Sequence, residues 1–187
     1  MIYIKAKMMS SFGIVMLFIT AAIVINAVSY YFGVWKGSGG AQSGSLTFWK
    51  LYQNKLIPPG FVIGIVWVFI FGMMGYCFYK LVDKNSTTEP DGTKNAGNLS
   101  LGCIAILIYG AFALFYPLFT YGTREKNANV VNYIAIIGAL VLGIIVIEED
   151  VGSFYFLLPL LLWVSYIGLT DSLMYRNMMI RSEKVQK

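Results

Sequence analysis

The sequence predicts an all-α integral membrane protein, folded as a bundle of five transmembrane helices. Hydrophobic residues make up 58% of the chain, charged residues only 12%, and the mean hydropathy is +0.69. A soluble domain of 187 residues needs a more polar surface than this composition provides. A helix needs about 20 mostly apolar residues to cross a hydrocarbon layer roughly 30 Å thick. Five apolar windows are long enough, at residues 9–32, 59–82, 99–121, 130–147 and 153–175.

Each window is expected to be a helix, because backbone polar groups in lipid must be satisfied within the segment and these runs do not alternate as barrel strands do. The first window follows Lys5 and Lys7, as a signal peptide would, but its apolar run is longer than a typical signal core and lacks an obvious cleavage site. We therefore predict a retained first helix. The chain is expected to form a single membrane domain over residues 1–187, with a long first loop at 33–58 and a basic tail at 176–187.

The distribution of Lys and Arg predicts how the bundle is oriented. Nine of these residues fall on the side of the first loop and the C-terminus, and five fall on the other side. Cytoplasmic segments of membrane proteins are enriched in Lys and Arg, so the first loop and the C-terminus are expected to be cytoplasmic. Two glycosylation tripeptides, at Asn85 and Asn98, would lie on the opposite side, although such tripeptides are also common by chance.

Histidine and cysteine usage narrows the possible chemistry. The chain contains no histidine, which argues against a His-ligated haem, a zinc site and a Ser-His or Cys-His nucleophilic pair. Cys77 and Cys103 lie in predicted helices, where a small buried apolar role is expected. The net charge of +5 is spread over loops, so we expect the lipid bilayer and not a nucleic acid as partner. We expect no catalytic residues, no metal site and no resident cofactor.

Aromatic residues form stripes on two of the predicted helices. Each stripe follows the spacing i, i+4, i+7, i+11, which places its residues on one helical face. The stripes are Trp67, Phe71, Met74 and Phe78 in the second helix and Pro159, Trp163, Tyr166 and Thr170 in the fifth. A tryptophan in the middle of a membrane helix needs a partner for its indole N–H. The stripes indicate either ordinary helix packing or a cavity lined with rings that suits a flat apolar ligand.

The start of the second helix carries a recognisable pattern. From Pro58 it reads PPGFVIGIVW and continues through Phe71, Met74, Gly75 and Tyr76. This stretch resembles the second-helix signature of the TspO/MBR family, the translocator proteins or peripheral-type benzodiazepine receptors. Two positions differ, since Phe61 stands where the family pattern has tryptophan and Phe71 where it has tyrosine.

Further motifs extend the resemblance over about residues 45 to 177. Tyr116-Pro117 and the following YGTR at 121–124 are similar to the end of the family's third helix, and PLLLW at 159–163 is similar to its fifth. Departures concern polar positions and tryptophans. The first-loop motif is eroded, and the third-helix motif is reduced to Ala113-Leu114-Phe115-Tyr116, without its asparagine and tryptophans. An acidic position of the fourth helix is Asn132, and the asparagine of the fifth is Asp171.

The resemblance implies a membrane receptor or transport-related protein that binds porphyrins, haem-pathway intermediates, sterols or similar flat apolar molecules in an aromatic pocket between helices. Porphyrin or haem would be a ligand and not a resident cofactor. The residues implied are Phe48 and Leu51 as loop contacts and Trp67, Phe71, Tyr116, Trp163 and Tyr166 as pocket walls. A loose sterol-recognition pattern, weak by itself, comprises Leu173, Tyr175 and Arg181.

Two alternatives stay open, together with the oligomeric state. Some bacterial relatives are associated with light-dependent porphyrin breakdown, for which Trp67 and Trp163 would be the candidates here. A diverged scaffold that acts through protein partners is the other alternative. The family also implies a possible homodimer, for which Gly64, Gly72 and Gly75 would allow close helix approach or would serve packing within one bundle.

Overall fold

A computed structural model describes residues 10–31, 60–88, 94–95, 99–121 and 125–170. Helices account for most of these residues. They are α1 Ser11–Tyr31, α2 Gly60–Lys84, α3 Leu101–Tyr121, α4 Glu125–Glu149 and α5, the helical segment Val151–Thr170. A short antiparallel ladder pairs β1, Thr87–Thr88, with β2, Lys94–Asn95, in the segment between α2 and α3.

Four of the described helices are long and apolar enough to cross a membrane: the spans are Ser11–Val28, Val62–Lys84, Val130–Glu149 and Val151–Thr170. In α3 the corresponding apolar stretch is shorter, Leu101–Tyr116. Large apolar side chains such as Phe12 and Leu162 lie on the outside of the bundle, where lipid is their solvent. The fold is therefore that of a multi-pass helical membrane bundle, which confirms the predicted class. The count of five spans stays a prediction.

The helix bounds follow local chemistry. α4 begins at Glu125, ahead of the apolar window at 130, because Glu125, Lys126 and Ala128 are good helix formers and an acidic residue suits a helix N-terminus. α4 and α5 are separated by Asp150 alone. The Asp150 carboxylate accepts a hydrogen bond from the Ser153 N–H at 2.8 Å and a second one from the Ser153 hydroxyl. This side chain therefore caps α5.

A 3₁₀ turn, Tyr155–Leu157, interrupts the first part of α5. The carbonyl of Tyr155 accepts a hydrogen bond from the N–H of Leu158, three residues later. An α-helical bond would have to come from Pro159, which has no N–H. The proline therefore explains why the chain tightens to a 3₁₀ turn at this point.

Close contact between α1 and α2 depends on two glycines of α2. A Cβ atom placed on Gly75 would lie 3.1 Å from Phe18 and 3.2 Å from the Cα atom of Val15, and one on Gly72 would lie 3.3 Å from Ile19. Gly64 is different, because a Cβ atom there would meet nothing within 4 Å. Gly72 and Gly75 thus serve packing within the bundle, which is one of the two roles considered for them in the sequence.

Helices α3 and α4 are joined by a buried polar contact as well as by apolar packing. The Tyr109 hydroxyl donates to the Ala135 carbonyl at 3.1 Å, and the Tyr109 ring lies 3.2 Å from a Cβ atom placed on Gly138. On the other side of α4, Gly168 of α5 lies against the Ile136 side chain. The core sits between these helices and includes the fully buried residues Ile70, Met74, Ile106, Leu157 and Leu160.

Charged residues gather at one end of the bundle, where α2 and α4 end and α3 and α5 begin. The Lys84 ammonium donates to the Glu149 carbonyl and lies 3.8 Å from the Asp150 carboxylate. The Glu149 carboxylate accepts the N–H of Gly102 at 2.7 Å, in the first turn of α3. Hydrogen bonds from Ser153, aided by Lys84, hold the pKa of Asp150 below its usual value. These contacts satisfy helix ends that would otherwise lack partners.

Candidate functional site

Three of the predicted wall residues come together between α2 and α3. The ring centroids of Trp67 on α2 and Tyr116 on α3 are 6.4 Å apart, and Phe71, one turn after Trp67, lies 6.1 Å from it. Phe112 lies 6.5 Å from Tyr116, and Tyr109 lies 6.0 Å from Phe112. We call these five residues the aromatic cluster. Three of these ring pairs are tilted and the pair of Phe112 and Tyr116 is edge-on, so none forms the face-to-face sandwich that aromatic pairs avoid.

The residues of the predicted stripe on α2 contact two different helices, α3 and α1. Phe71 is 3% exposed and Met74 is fully buried, so both belong to the core. Trp67 and Phe71 belong to the aromatic cluster beside α3. Phe78, at the other end of the stripe, faces α1, where its ring centroid lies 5.8 Å from that of Phe18. The stripe thus contributes only its first half to the candidate site.

Asn132 of α4 supplies a polar group to the aromatic cluster. Its side-chain oxygen accepts a hydrogen bond from the Tyr116 hydroxyl, and the residue is 1% exposed. Sequence reasoning treated Asn132 as a departure from the family pattern and not as a site residue. An amide inside the fourth apolar window was the signal that could have identified it, because polar groups in a membrane helix usually face the bundle interior and find a partner there.

The fifth-helix pair, Trp163 and Tyr166, forms a second aromatic group. The two ring centroids are 6.0 Å apart. Trp163 packs against the buried core, whereas Tyr166 is 39% exposed. Leu160 and Val164 occupy the centre of the buried face of α5. Trp163 and Tyr166 therefore lie along the edge of that face, where a residue can touch both the core and a neighbouring molecule.

The indole N–H of Trp163 is the unusual polar group of this region. Its Nε1 atom is buried and meets no acceptor among the residues that the structure describes. Thr170, from the same stripe, is satisfied locally, since its hydroxyl lies 2.9 Å from the carbonyl oxygens of Tyr166 and Ile167. The structure therefore separates the two polar members of the stripe: Thr170 bonds its own helix, and Trp163 does not.

Five predicted residues lie outside the described part of the chain, so the structure does not place them. They are the loop contacts Phe48 and Leu51 and the sterol-pattern residues Leu173, Tyr175 and Arg181. In the described part, no group of three or more His, Cys, Asp or Glu side chains is arranged to hold a metal ion.

An open depression of about 350 Å³ lies on the outside of the bundle, between α1 and α2. None of the predicted site residues that the structure describes lines it. Its lining consists of Ile23, Asn26, Gly64, Ile65 and Val68. The Asn26 amide, its polar group, donates to the Ala22 carbonyl one turn earlier at 2.7 Å. This depression is separate from the aromatic cluster.

Comparison with protein families identifies the family to which this chain belongs. The model of the TspO/MBR family matches residues 18–176. The chain belongs to the TspO/MBR family. The resemblance seen in the sequence is thereby confirmed over most of the chain. TspO/MBR membership and the long apolar helices together support an integral membrane protein with a receptor or transport-related role.

The TspO/MBR match includes every described ring of the candidate site, from Trp67 to Tyr166. It also includes Phe48, Leu51, Leu173 and Tyr175, whereas Arg181 lies beyond its end. No curated protein sequence matches this chain significantly.

Proposed function

We propose that this TspO/MBR protein is a membrane receptor or transport-related protein that binds a flat, largely apolar ligand beside α2, α3 and α5. The observation that carries the proposal is the meeting of Trp67 and Tyr116, two rings from different helices, next to the core against which Trp163 also packs. A flat molecule can stack on several rings. Each aromatic contact adds about 0.5–1.5 kcal/mol beyond area burial, so no charged anchor is required.

Porphyrins, haem-pathway intermediates and sterols are the proposed ligand class, because they combine a flat frame with a large apolar surface. The polar groups that orient such a ligand differ from the family pattern. Ala113 replaces an asparagine on α3 and is buried, whereas Asn132 places an amide on α4, in contact with Tyr116. A ligand is therefore held mainly by ring contacts, and the polar groups near it stand at positions other than those of the family pattern.

The proposal includes a five-span topology in which α3 also crosses the membrane. The first loop and the C-terminus lie on the cytoplasmic side, as the Lys and Arg distribution favours. The ladder between Thr87–Thr88 and Lys94–Asn95 then lies on the opposite side. For a homodimer, Gly64 is the candidate, since Gly72 and Gly75 already pack against α1. The sterol pattern near Tyr175 stays a prediction.

Ligand titration of the detergent-purified protein tests the proposal. Protoporphyrin IX is followed by its absorption, and a fluorescent sterol such as dehydroergosterol by its emission, so that the signal does not depend on the tryptophans. We expect saturable binding of at least one ligand. Trp67→Ala should weaken it by about 2- to 10-fold, because it removes a stacking surface. Phe71→Ala should weaken it as well, because the Trp67 ring loses the buried ring against which it packs.

Phe69→Ala is the matched control, because Phe69 lies on α2 between the two tested residues but is 56% exposed on the outer face. Its effect on affinity should stay within about 2-fold. Melting temperatures of all variants separate loss of a contact from loss of the fold. Absence of binding by both ligands, or equal loss in the Phe69→Ala and Trp67→Ala variants, contradicts the proposal.

The same titration under illumination tests the enzymatic alternative. Progressive loss of the porphyrin absorption bands in the light, absent in the dark and abolished in Trp67→Phe or Trp163→Phe, would favour porphyrin breakdown over binding alone. A spectrum that is unchanged by light supports the receptor or transport-related role.

A further inference from the structure

We propose that the open depression between α1 and α2 is a second, lipid-facing binding site that takes a sterol, whose single hydroxyl donates a hydrogen bond to the side-chain oxygen of Asn26. The depression measures about 350 Å³ and is lined by Ile23, Asn26, Gly64, Ile65 and Val68. It is separate from the aromatic cluster, so this inference goes beyond the proposed function.

The depression exists because α1 and α2 separate towards the end where α1 finishes and α2 begins. Where the two helices pack, a Cβ atom placed on Gly72 would lie 3.3 Å from Ile19. About 12 Å earlier along α2, at a rise of 1.5 Å per residue, a Cβ atom on Gly64 would meet nothing within 4 Å. The gap is therefore closed at Gly72 and open at Gly64, near the membrane boundary, because the apolar span of α2 begins at Val62.

Asn26 supplies the polar group of the depression. Its amide nitrogen donates to the Ala22 carbonyl at 2.7 Å, and no described residue donates to its side-chain oxygen, which can only accept. Polar side chains within a membrane span are costly and usually find a partner. Asn26 lies close to the end of the apolar span Ser11–Val28. A hydroxyl bonded there sits near the interface, while the rest of its molecule extends into the bilayer.

The lining decides which lipid fits. It offers one polar side chain and no charged one, and the remaining surface comes from Ile23, Ile65, Val68 and Gly64. A lipid with several polar groups would leave some of them unpaired against these side chains, at a cost in free energy. A sterol carries one hydroxyl on an apolar body, and its rigid rings lose little conformational freedom on binding. Acylglycerols match less well, because they bring ester oxygens and flexible chains.

A helix of a second copy is too wide to fill the depression. With its side chains a helix is about 10–12 Å across, so 12 Å of its length occupies on the order of 1,000 Å³. The depression offers about 350 Å³. A second copy would therefore cover the mouth at Gly64 without filling the space behind it, whereas the slender body of a sterol enters the gap.

A matched pair of sterols tests the hydrogen bond to Asn26. Cholesterol and cholesterol methyl ether share one ring system and one oxygen, but only cholesterol has an O–H to donate. Competition against radiolabelled cholesterol on the detergent-purified protein should show that cholesterol binds about 3- to 10-fold more tightly than the ether. Asn26→Leu removes the acceptor, so it should abolish this preference. Equal affinity of the wild-type protein for the two sterols overturns the assignment of Asn26.

Gly64→Leu tests the place of binding without disturbing the fold, because a side chain added there points into open space. It should weaken cholesterol binding by about 10-fold or more, since it fills the depression. Protoporphyrin IX binding should change by no more than about 2-fold. Ala27→Leu is the control: Ala27 follows Asn26, is exposed and does not line the depression. Its effect on cholesterol binding should also stay within about 2-fold.

Photolabelling of the wild-type protein gives a readout that needs no variant. A cholesterol analogue with a diazirine on its ring system should label Ile23, Ile65 or Val68, as found by mass spectrometry of peptides, and excess cholesterol should suppress the label. Label confined to the rings of the aromatic cluster overturns the inference, because the sterol then binds at the other site.

The outcomes also separate this site from the proposed function. Saturable protoporphyrin IX binding without cholesterol binding overturns the inference and leaves the proposed function standing. Cholesterol bound at the depression, with no ligand at the aromatic cluster, supports the inference and contradicts the proposed function. A change of oligomeric state in Gly64→Leu, measured by light scattering, with unchanged cholesterol affinity would show that a second copy and not a sterol occupies the depression.

Discussion

The Tyr116 hydroxyl donates to the Asn132 amide oxygen and so joins α3 to α4, as the bond from Tyr109 to Ala135 does, beside apolar packing. In a bilayer such a bond competes with few alternatives, yet measured interhelical hydrogen bonds average only about 0.6 kcal/mol and reach about 1.7 kcal/mol. The contact is thus worth less than the burial of a large side chain, about 1.5–3 kcal/mol. The bond also restricts the position of the Tyr116 ring, whose centroid lies 6.4 Å from that of Trp67.

We predict that Tyr116→Phe lowers the free energy of unfolding by about 0.6–1.7 kcal/mol, because the Asn132 oxygen loses its hydroxyl donor. The loss should be smaller when Asn132 is already leucine, since the contact is then absent. Detergent-induced unfolding followed by circular dichroism measures both differences.

Tyr133→Phe is the control for this prediction. Tyr133 neighbours Asn132 in sequence but is 52% exposed on the outside of α4. Removing its hydroxyl should change stability by no more than about 0.5 kcal/mol. An equal effect of Tyr116→Phe with and without Asn132→Leu would show that the hydroxyl does not act through the amide.

Among the helices, the α1–α2 contact depends most clearly on small residues. Gly75 allows Phe18 and the Val15 backbone to approach α2, whereas Gly64, in the same helix, faces open space. Helices in lipid gain stability from close van der Waals packing, which small residues permit. The same residue type therefore has two different roles within one helix.

We predict that Gly75→Leu destabilises the bundle by about 1–3 kcal/mol or more, because the new side chain overlaps α1, including its backbone. Gly64→Leu should change the free energy of unfolding by no more than about 0.5 kcal/mol. Both variants add the same side chain to α2, so unfolding of the pair in mixed micelles isolates the effect of position. Similar losses for the two would contradict the described packing of α1 on α2.

At the scale of the whole molecule, charge is distributed unevenly between the two ends of the bundle. At the end where α2 and α4 finish, Lys84 bonds the Glu149 carbonyl and lies 3.8 Å from the Asp150 carboxylate. In the predicted five-span topology, nine of the fourteen Lys and Arg residues fall on the side of the first loop and the C-terminus. Uncompensated basic residues favour the cytoplasmic face, next to anionic lipid.

Orientation is tested with single introduced cysteines. The native Cys77 and Cys103 are fully buried, so they should react slowly and provide a quiet background. In sealed vesicles whose cytoplasmic face points inward, a membrane-impermeant maleimide should label Thr88→Cys at once and Ser45→Cys only after permeabilisation. The reverse pattern would invert the topology, and labelling of both before permeabilisation would exclude a spanning arrangement with opposite sides.

Much of the fold could be predicted, because a membrane helix is recognised from the length and composition of one continuous segment. The apolar windows near Ser11–Tyr31 and Gly60–Lys84 identified helices, since length and composition decide whether a segment can cross. The early start of α4 at Glu125 was missed because helix propensity, and not hydrophobicity, extends it. The 3₁₀ turn before Pro159 follows from one missing N–H, but periodicity over a whole window does not reveal it.

The candidate site was less accessible to sequence reasoning. Helical spacing grouped Trp67 with Phe78, but the structure places Phe78 against Phe18 of α1. Spacing within one helix cannot show that the Trp67 ring lies beside Tyr116 of α3. Nor can it show that the Asn132 side chain of α4 accepts a hydrogen bond from the Tyr116 hydroxyl. These are contacts between helices, and they depend on how each helix is rotated about its axis.

The sequence by itself determined that this chain is a helical membrane protein of the TspO/MBR family, because transfer of backbone into lipid requires local hydrogen bonding and the family motifs are contiguous. Only the tertiary structure decided which rings face one another and which glycines of α2 pack against α1. It also showed that the Trp163 N–H is buried without an acceptor among the described residues. The physical reason is that lipid accepts any apolar face of a helix, so hydrophobicity alone does not specify its rotation. Packing against neighbouring helices does.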